Sequence, residues 1–484
     1  MAEQRDRVSA VPRRAGHVAA LDFGATSGRV IVGEVGADVL RMQQFARFAN
    51  EPVRVAGRLH WNVLSLWQGA LDGLAAAGRH AGALLSVAAD TWGVDYGILR
   101  SGRMLSTPVH YRDERTAGAV ERVERRMPAA EQYARAGTQI LPINTIYQFA
   151  VDADEGGFEA ADGALLMPDL FSYWLSGERV AERTMASTTG LMNARTGNWD
   201  DALVAASAAP SGLLPQIVAP GTRIGALRAD VAEAVGLGAG VHVLAVGAHD
   251  TASAVVATPM PTDGAAYISC GTWGLVGIER AAPVLTEEAR RAGFTNESGV
   301  DGRYLFMRNA MGLWMLSESI RSWTAAGIRA ELPDLLRAAA ELADGTSIVD
   351  VDDPRFAVPG NMPERVAEWC RERGLAVPQS PAETVRCIVE SLAAAFADAT
   401  RDAARLAGAA LTQINIVGGG SQNELLCQRI ADRSGLAVYA GPVEATALGN
   451  TLVQARAVGL VDGELDDLRA LVHRAHAPRR YDPR

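Results

Sequence analysis

Two stretches of this chain share one grammar, and that recurrence constrains its fold more than any other feature. HVAALDFG (17–24) is an apolar run closing on an aspartate and a glycine, and SGRVIVGEV (27–35) resumes at once with β-branched residues. AAYISCGTWGLVGIE (265–279) repeats the pattern about 245 residues later, as an apolar strand, a Ser/Gly/Thr turn and a second apolar strand. Each stretch reads as a β-hairpin around a tight turn. Two such hairpins predict a duplicated α/β fold whose halves face each other across a cleft.

The intervening patterns fit that plan. Asn62 to about Gly78 has helical periodicity through Val63, Leu66, Trp67, Ala70, Leu71 and Leu74, and ALLSVAADTWG (83–93) reads as a buried strand ending in a polar loop. Residues 105–235 alternate helices with Gly/Pro-rich connections, and VHVLAVGAHD (241–250) reads as a further strand ending in an acid. The stretch 381–408 predicts a long amphipathic helix. QINIVGGG (413–420) is then a strand and turn, and 421–435 a helix stopped by Gly435. We expect domains over 16–245 and 246–474, between tails at 1–15 and 475–484.

Composition removes several chemistries. All 46 basic residues are arginine; the chain has no lysine. A P-loop, a protein-kinase strand lysine and a Schiff-base amine are therefore excluded. The net charge of −10 argues against nucleic-acid or anionic-membrane partners, which need a basic face. No apolar run approaches the ~20 residues that span a bilayer. Arg13–Arg14 mimic a twin-arginine signal, but Asp22 and Arg29 interrupt the apolar segment behind them. Cys270, Cys370, Cys387 and Cys427 form no C-x-x-C or zinc spacing. They read as the reduced thiols of a cytoplasmic protein, with a Cys370–Cys387 bridge as the alternative.

Four turns carry candidate chemistry. In Asp22-Phe23-Gly24-Ala25-Thr26-Ser27-Gly28-Arg29, backbone N–H groups and hydroxyls could cradle phosphate, an acid could hold Mg²⁺ through water, and Arg29 could neutralise charge. A purely structural hairpin explains the same residues. Ser269-Cys270-Gly271-Thr272-Trp273 looks like the opposite jaw, with Cys270 as a buried filler. Gly418-Gly419-Gly420 lies between a strand and a helix, but its spacing is wrong for a dinucleotide-binding G-x-G-x-x-G. In Gly247-Ala248-His249-Asp250-Thr251, the aspartate could accept a proton from a substrate hydroxyl, as phosphoryl transfer requires. It could equally cap the helix that follows. Asp90 to Asp95, Tyr111-Arg112-Asp113 and Asn309 are further polar clusters, suited either to sugar hydroxyls or to structural hydrogen bonds.

Taken in order, D-F-G-A-T-S-G-R, D-T-W-G-V-D, Y-R-D-E-R-T, L-L-M-P-D-L-F-S-Y, H-D-T-A-S-A-V, S-C-G-T-W, R-N-A-M-G-L-W, G-G-G-S-Q-N and G-P-V-E-A-T-A-L-G-N resemble the FGGY carbohydrate kinases from residue 17 to about 460. The likeness is strongest to the branch acting on L-rhamnulose. It implies an α/β fold of two actin-like (RNase H-like) domains facing each other across a catalytic cleft. The first domain would bind sugar and phosphate; the second would bind nucleotide and open with the base.

The implied cofactors are ATP and Mg²⁺, and the implied partner is a small-molecule ketose. By motif, Ala25, Thr26, Ser27, Gly28, Arg29, Thr272, Ser317 and Gly419 would contact ATP, and Asp22 would be the metal-side acid. Gly93, His249, Asp250, Thr251 and Asn309 would bind the sugar, with Asp250 as the base at its 1-hydroxyl. The chain departs from the pattern at Arg308, where lysine is expected, at Ser317, where glutamine is expected, and at Gly274, where serine is expected. L-Fuculose and L-xylulose are the rival substrates. An actin-like ATPase switch is the rival class, although it needs no base at His-Asp-Thr.

Overall fold

The computed structural model of the chain describes residues 15–343 and 345–484, so the expected N-terminal tail, with Arg13–Arg14, lies outside the described residues except for Ala15. β1 (Gly16–Phe23) pairs antiparallel with β2 (Ser27–Gly36), setting Asp22 opposite Arg29, and β2 pairs antiparallel with β3 (Val39–Ala49). Asn62 caps α1 (Val63–His80) by accepting from the Ser65 N–H, and α1 buries Val63, Leu66, Ala70 and Leu74. The chain returns as β4 (Leu84–Thr91), parallel to β1 and in register so that Asp90 lies level with Asp22. β5 (Arg223–Ala226) and β6 (His242–Leu244) complete a six-stranded sheet in the order β5-β6-β4-β1-β2-β3. The chain then enters α2 (Asp250–Val256).

The second half repeats this winding. β7 (Ala265–Cys270) and β8 (Trp273–Arg280) form the second hairpin, flanked by β9 (Thr295–Ser298) and β10 (Tyr304–Met311). α3 (Trp314–Ala325) precedes α4 (Pro381–Ala407), which starts at a Ser380 cap and ends at left-handed Gly408. β11 (Gln413–Val417) lies parallel to β7; α5 (Glu424–Ser434), β12 (Ala437–Ala440) and α6 (Ala445–Ala457) follow. The sheet order is β9-β10-β8-β7-β11-β12-β13, with β13 at Arg479–Tyr481. Thus β7, β8, β10, α4, β11 and β12 reproduce the sense and order of β1, β2, β3, α1, β4 and β6. The duplication predicted from the two hairpins is present in the topology.

The two halves meet through their equivalent helices. α2 follows β6 as α6 follows β12, and the two cross so closely that a Cβ added at Gly449 would stand 1.8 Å from the Ser253 carbonyl oxygen. Around this crossing, Val18, Val35 and Ala254 share one apolar cluster with Leu448, Leu452 and Val453. Gln454 adds polar stitches, donating to the Ala19 carbonyl at 2.9 Å and accepting from the Ser86 hydroxyl at 2.7 Å.

Three expectations need correction. The strand read at 241–250 is only three residues long, because pairing with β4 stops after Val243 and resumes as a single bridge between Thr91 and His249. The helix expected from 421 begins at Glu424, behind a 3-10 turn at Gly419–Gln422 and an Asn423 cap. The terminal tail expected from 475 contributes β13, paired with β12. All four cysteines are free and buried, so the Cys370–Cys387 bridge is not formed.

Candidate active site

The β1–β2 turn closes on itself. The Gly24 N–H bonds to the Ser27 carbonyl at 2.9 Å, and Asn50 ties both limbs through Thr26 O and Gly24 O. Thr26 is exposed at the tip, Ala25 and Ser27 are half-buried, and Gly28 is buried against Phe48, whose ring a Cβ would meet at 2.2 Å. Gly28 therefore has a packing reason of its own. Arg29 faces Asp22 at 2.8 Å and also ion-pairs with Glu444, which opens α6. Its charge is shared by two carboxylates that span both halves.

Asp22 and Asp90 stand side by side at the ends of adjacent parallel strands, both buried. Burial raises the Asp22 carboxyl to about 6; Arg29 opposes the rise, and the charges of Asp250 and Glu444 add to it. Asp90 is pushed well above the usual carboxylate range by burial and by Asp22. The Asn450 amide donates to Asp90 Oδ2 at 2.6 Å, leaving Oδ1 without a hydrogen-bond partner. An unfilled acidic oxygen beside a second buried acid suits a cation that keeps part of its water shell, as Mg²⁺ does. Among the described residues, no three His, Cys, Asp or Glu side chains converge to hold a metal by themselves. Water or phosphate would have to complete the shell.

Asp250 is the first residue of α2, and its side chain is 35% exposed whereas that of Asp22 is 3%. His249 occupies the cap position and makes no side-chain cap bond, so the capping reading of Asp250 is not what the structure shows. Thr251, which is buried, donates its hydroxyl to Asp250 Oδ1 at 3.1 Å. His249 Nε2 lies 3.4 Å from the same oxygen, and Nδ1 lies 2.9 Å from Glu297 Oε2. The loop is held from behind by the Thr184 hydroxyl, which accepts from the His249 N–H, and by buried Glu182, which accepts from the Ala248 N–H. Burial and packed donors thus fix a partly open carboxylate at a helix N-terminus, the geometry of a proton acceptor.

The remaining predicted residues fall into two groups. Gly93 lies on the first half, where a Cβ would press on the Thr188 side chain at 3.2 Å. Asn309, on β10, reaches Gln139 of the first half at 3.5 Å. On the second half, the Thr272 carbonyl accepts from the Trp314 N–H, Gly419 faces Leu313 and the Cys270 carbonyl, and Ser317 is exposed one turn into α3. Gly420 packs on the Cys270 sulfur, where a Cβ would sit at 2.4 Å. Part of the triple-glycine turn is therefore close packing. Burial pushes the Cys270 thiol up to about 12, as befits a filler.

Several residues of the site carried no assigned role in the sequence reading. Glu444 and Asn450 reach it from within G-P-V-E-A-T-A-L-G-N, and Glu297 reaches it from a segment with no motif to mark it. Asp95 was visible as one of a polar cluster. It accepts from Trp61, Trp92, the Tyr111 N–H and Gln148, so it organises aromatic rings rather than facing solvent. Arg112 projects from the first half over the rings of Trp273 and Trp314 of the second, at 5.8 and 5.1 Å.

Residues 17–257 match the N-terminal domain, and residues 266–458 the C-terminal domain, of the FGGY family of carbohydrate kinases. A rhamnulokinase of Bacteroides thetaiotaomicron is 37% identical over 467 residues, covering 96% of this chain and 95% of that protein. One of Klebsiella pneumoniae is 37% identical over 472 residues, covering 96% and 94%. Among solved structures, xylulose kinase from Rhodospirillum rubrum superposes with a TM-score of 0.77 at 20% identity, covering 97% of this chain and 94% of that one.

Proposed function

The chain belongs to the FGGY family of carbohydrate kinases, and from that premise we propose that it transfers the γ-phosphoryl group of ATP to the 1-hydroxyl of L-rhamnulose. The observation that carries the choice of sugar is the 37% identity to rhamnulokinases over nearly the whole length. The actin-like two-domain fold, shared with kinases of other sugars, does not discriminate among substrates.

In this reading, Asp250 accepts the proton of the 1-hydroxyl as its oxygen attacks the γ-phosphorus and ADP leaves. Its partial exposure and its contacts to Thr251 and His249 support that role. His249, Thr251, Gly93 and Asn309 form the sugar side, with Thr251 acting through its bond to Asp250. The turn from Ala25 to Arg29 offers N–H groups and hydroxyls to the phosphates, while Thr272, Ser317 and Gly419 receive the nucleotide across the cleft. Mg²⁺, when bound beside Asp22, would neutralise phosphate charge; the unpartnered oxygen of neighbouring Asp90 supports a cation there. We place the reaction in the cytoplasm.

A coupled ADP-release assay tests the substrate across L-rhamnulose, L-fuculose, L- and D-xylulose, L- and D-ribulose and glycerol. L-Rhamnulose is expected to give the highest kcat/KM. A higher value for L-fuculose or L-xylulose would reassign the sugar within the same chemistry. ADP release that no sugar stimulates would overturn the kinase reading.

A further inference from the structure

His249 Nδ1 lies 2.9 Å from Glu297 Oε2 and Nε2 lies 3.4 Å from Asp250 Oδ1. Nδ1 and Glu297 Oε2 have no hydrogen-bond partner among the described residues, so they face each other as a close charge pair. A carboxylate beside each ring nitrogen favours the doubly protonated imidazolium. The His249 and Glu297 side chains are only 9% and 8% exposed, so neither is an ordinary surface pair. Burial opposes charge on the imidazole, but Glu297 outweighs it, with help from Asp250, and holds His249 up at about 9. The charged groups facing the ring are carboxylates from three segments: Glu297 on β9, Asp250 on α2, and Glu182 beneath the loop.

Glu297 is itself firmly placed. On one side the Asn296 N–H donates to the Gly137 carbonyl at 2.8 Å, and on the other the Ser298 N–H donates to the Ser187 hydroxyl at 2.8 Å. Both partners belong to the first half. The carboxylate thus comes from an edge strand of the second sheet, yet its backbone is fixed by the segments beside the sugar side.

We propose that Glu297 is a positioning residue for the base: its charge holds the His249 ring so that Nε2 stays beside Asp250 and keeps that carboxylate aimed. The inference rests on the reading of Asp250 as the base. It also answers a charge problem in the cleft. Asp22 lies near both Asp250 and Glu444, and a triphosphate adds more negative charge, so an imidazolium beside Asp250 offsets part of that charge.

The test is the pH dependence of kcat for Glu297→Gln, which keeps the shape and removes the charge, with Glu297→Asp as the charge-keeping comparison. Wild-type kcat is expected to hold through neutral pH and fall as pH rises through about 9. In Glu297→Gln, kcat at neutral pH should fall roughly 10- to 100-fold with KM for ATP unchanged. Its alkaline limb should move down by at least about one pH unit. Glu297→Asp should restore the limb. A Gln variant with wild-type kcat and limb would overturn the proposal.

If Glu297→Gln does not fold, nitrogen-15 NMR titration of His249 in the wild-type protein decides, with His249→Asn to assign the signal. A midpoint near 9 supports the proposal, and one at or below the ordinary 6.5 overturns it. This titration also separates the two readings: if no ketose is phosphorylated, the proposed function fails while the Glu297–His249 contact is still read directly.

Discussion

At the scale of single residues, the site sorts its carboxylates by exposure. Asp250 is partly open, while Asp22 and Asp90 are buried at strand ends. Asp250→Asn should lower kcat by at least roughly 100-fold, the usual contribution of a positioned base, and leave ATP affinity and melting temperature close to wild type. Retained turnover would remove the base assignment. Asp22 carries a different signature. Its folded value of about 6 lies above its ordinary 3.8, so ionising it opposes folding. That cost is absent below about pH 4, grows as pH rises through 6, and is complete above it. Asp22→Asn should therefore raise stability at pH 8 by on the order of 1 kcal/mol, offset in part by the lost Arg29 contact, while abolishing turnover. Parallel thermal melts at pH 4 and pH 8 check the sign, because the gain should vanish at the lower pH. Asp22 and Asp250 were legible in the sequence because each ends an apolar run. The contacts of Glu297 and of Asn450, the latter inside G-P-V-E-A-T-A-L-G-N, were not, since their partners lie dozens to hundreds of residues away and are set only by β9 and α6 folding against the first half.

At the scale of elements, the hairpins were legible because alternating β-branched residues and a glycine turn leave few alternatives. α1 and α4 were legible through their periodicity, and the structure adds caps at Asn62 and Ser380. The shortness of β6 was not legible. The apolar run of 241–250 continues past the strand because Ala245, Val246 and Ala248 are buried in irregular chain that delivers His249 and Asp250 to the cleft. That delivery depends on the α2–α6 crossing. Gly449→Ala would force a methyl onto the Ser253 carbonyl, 1.8 Å away, and backbone at this crossing has no rotamer by which to yield. We expect destabilisation of about 3 kcal/mol, seen in denaturant unfolding, together with reduced kcat as α2 shifts. Wild-type stability in this variant would contradict the close packing of the two helices.

At the scale of the whole molecule, two copies of one winding are joined by a helix pair and bridged at the cleft by charges from opposite halves. Arg29 to Glu444 is one bridge; Arg112 over Trp273 and Trp314 is another. In the proposed reaction such contacts would hold the cleft closed and keep water from the γ-phosphate. Arg112→Ala should therefore raise ADP release per sugar phosphate formed above the wild-type ratio, and an unchanged ratio would argue against a bridging role. The absence of lysine is no obstacle to the proposed reaction, in which N–H groups of the β1–β2 turn and a bound Mg²⁺ would meet the phosphate charge. The measurement that tests the account most directly is the product itself. With ATP and L-rhamnulose, carbon-13 and phosphorus-31 NMR should show one sugar phosphate per ADP, with phosphorus coupled to carbon 1. Phosphate on another carbon, or ADP without a sugar phosphate, would contradict the account.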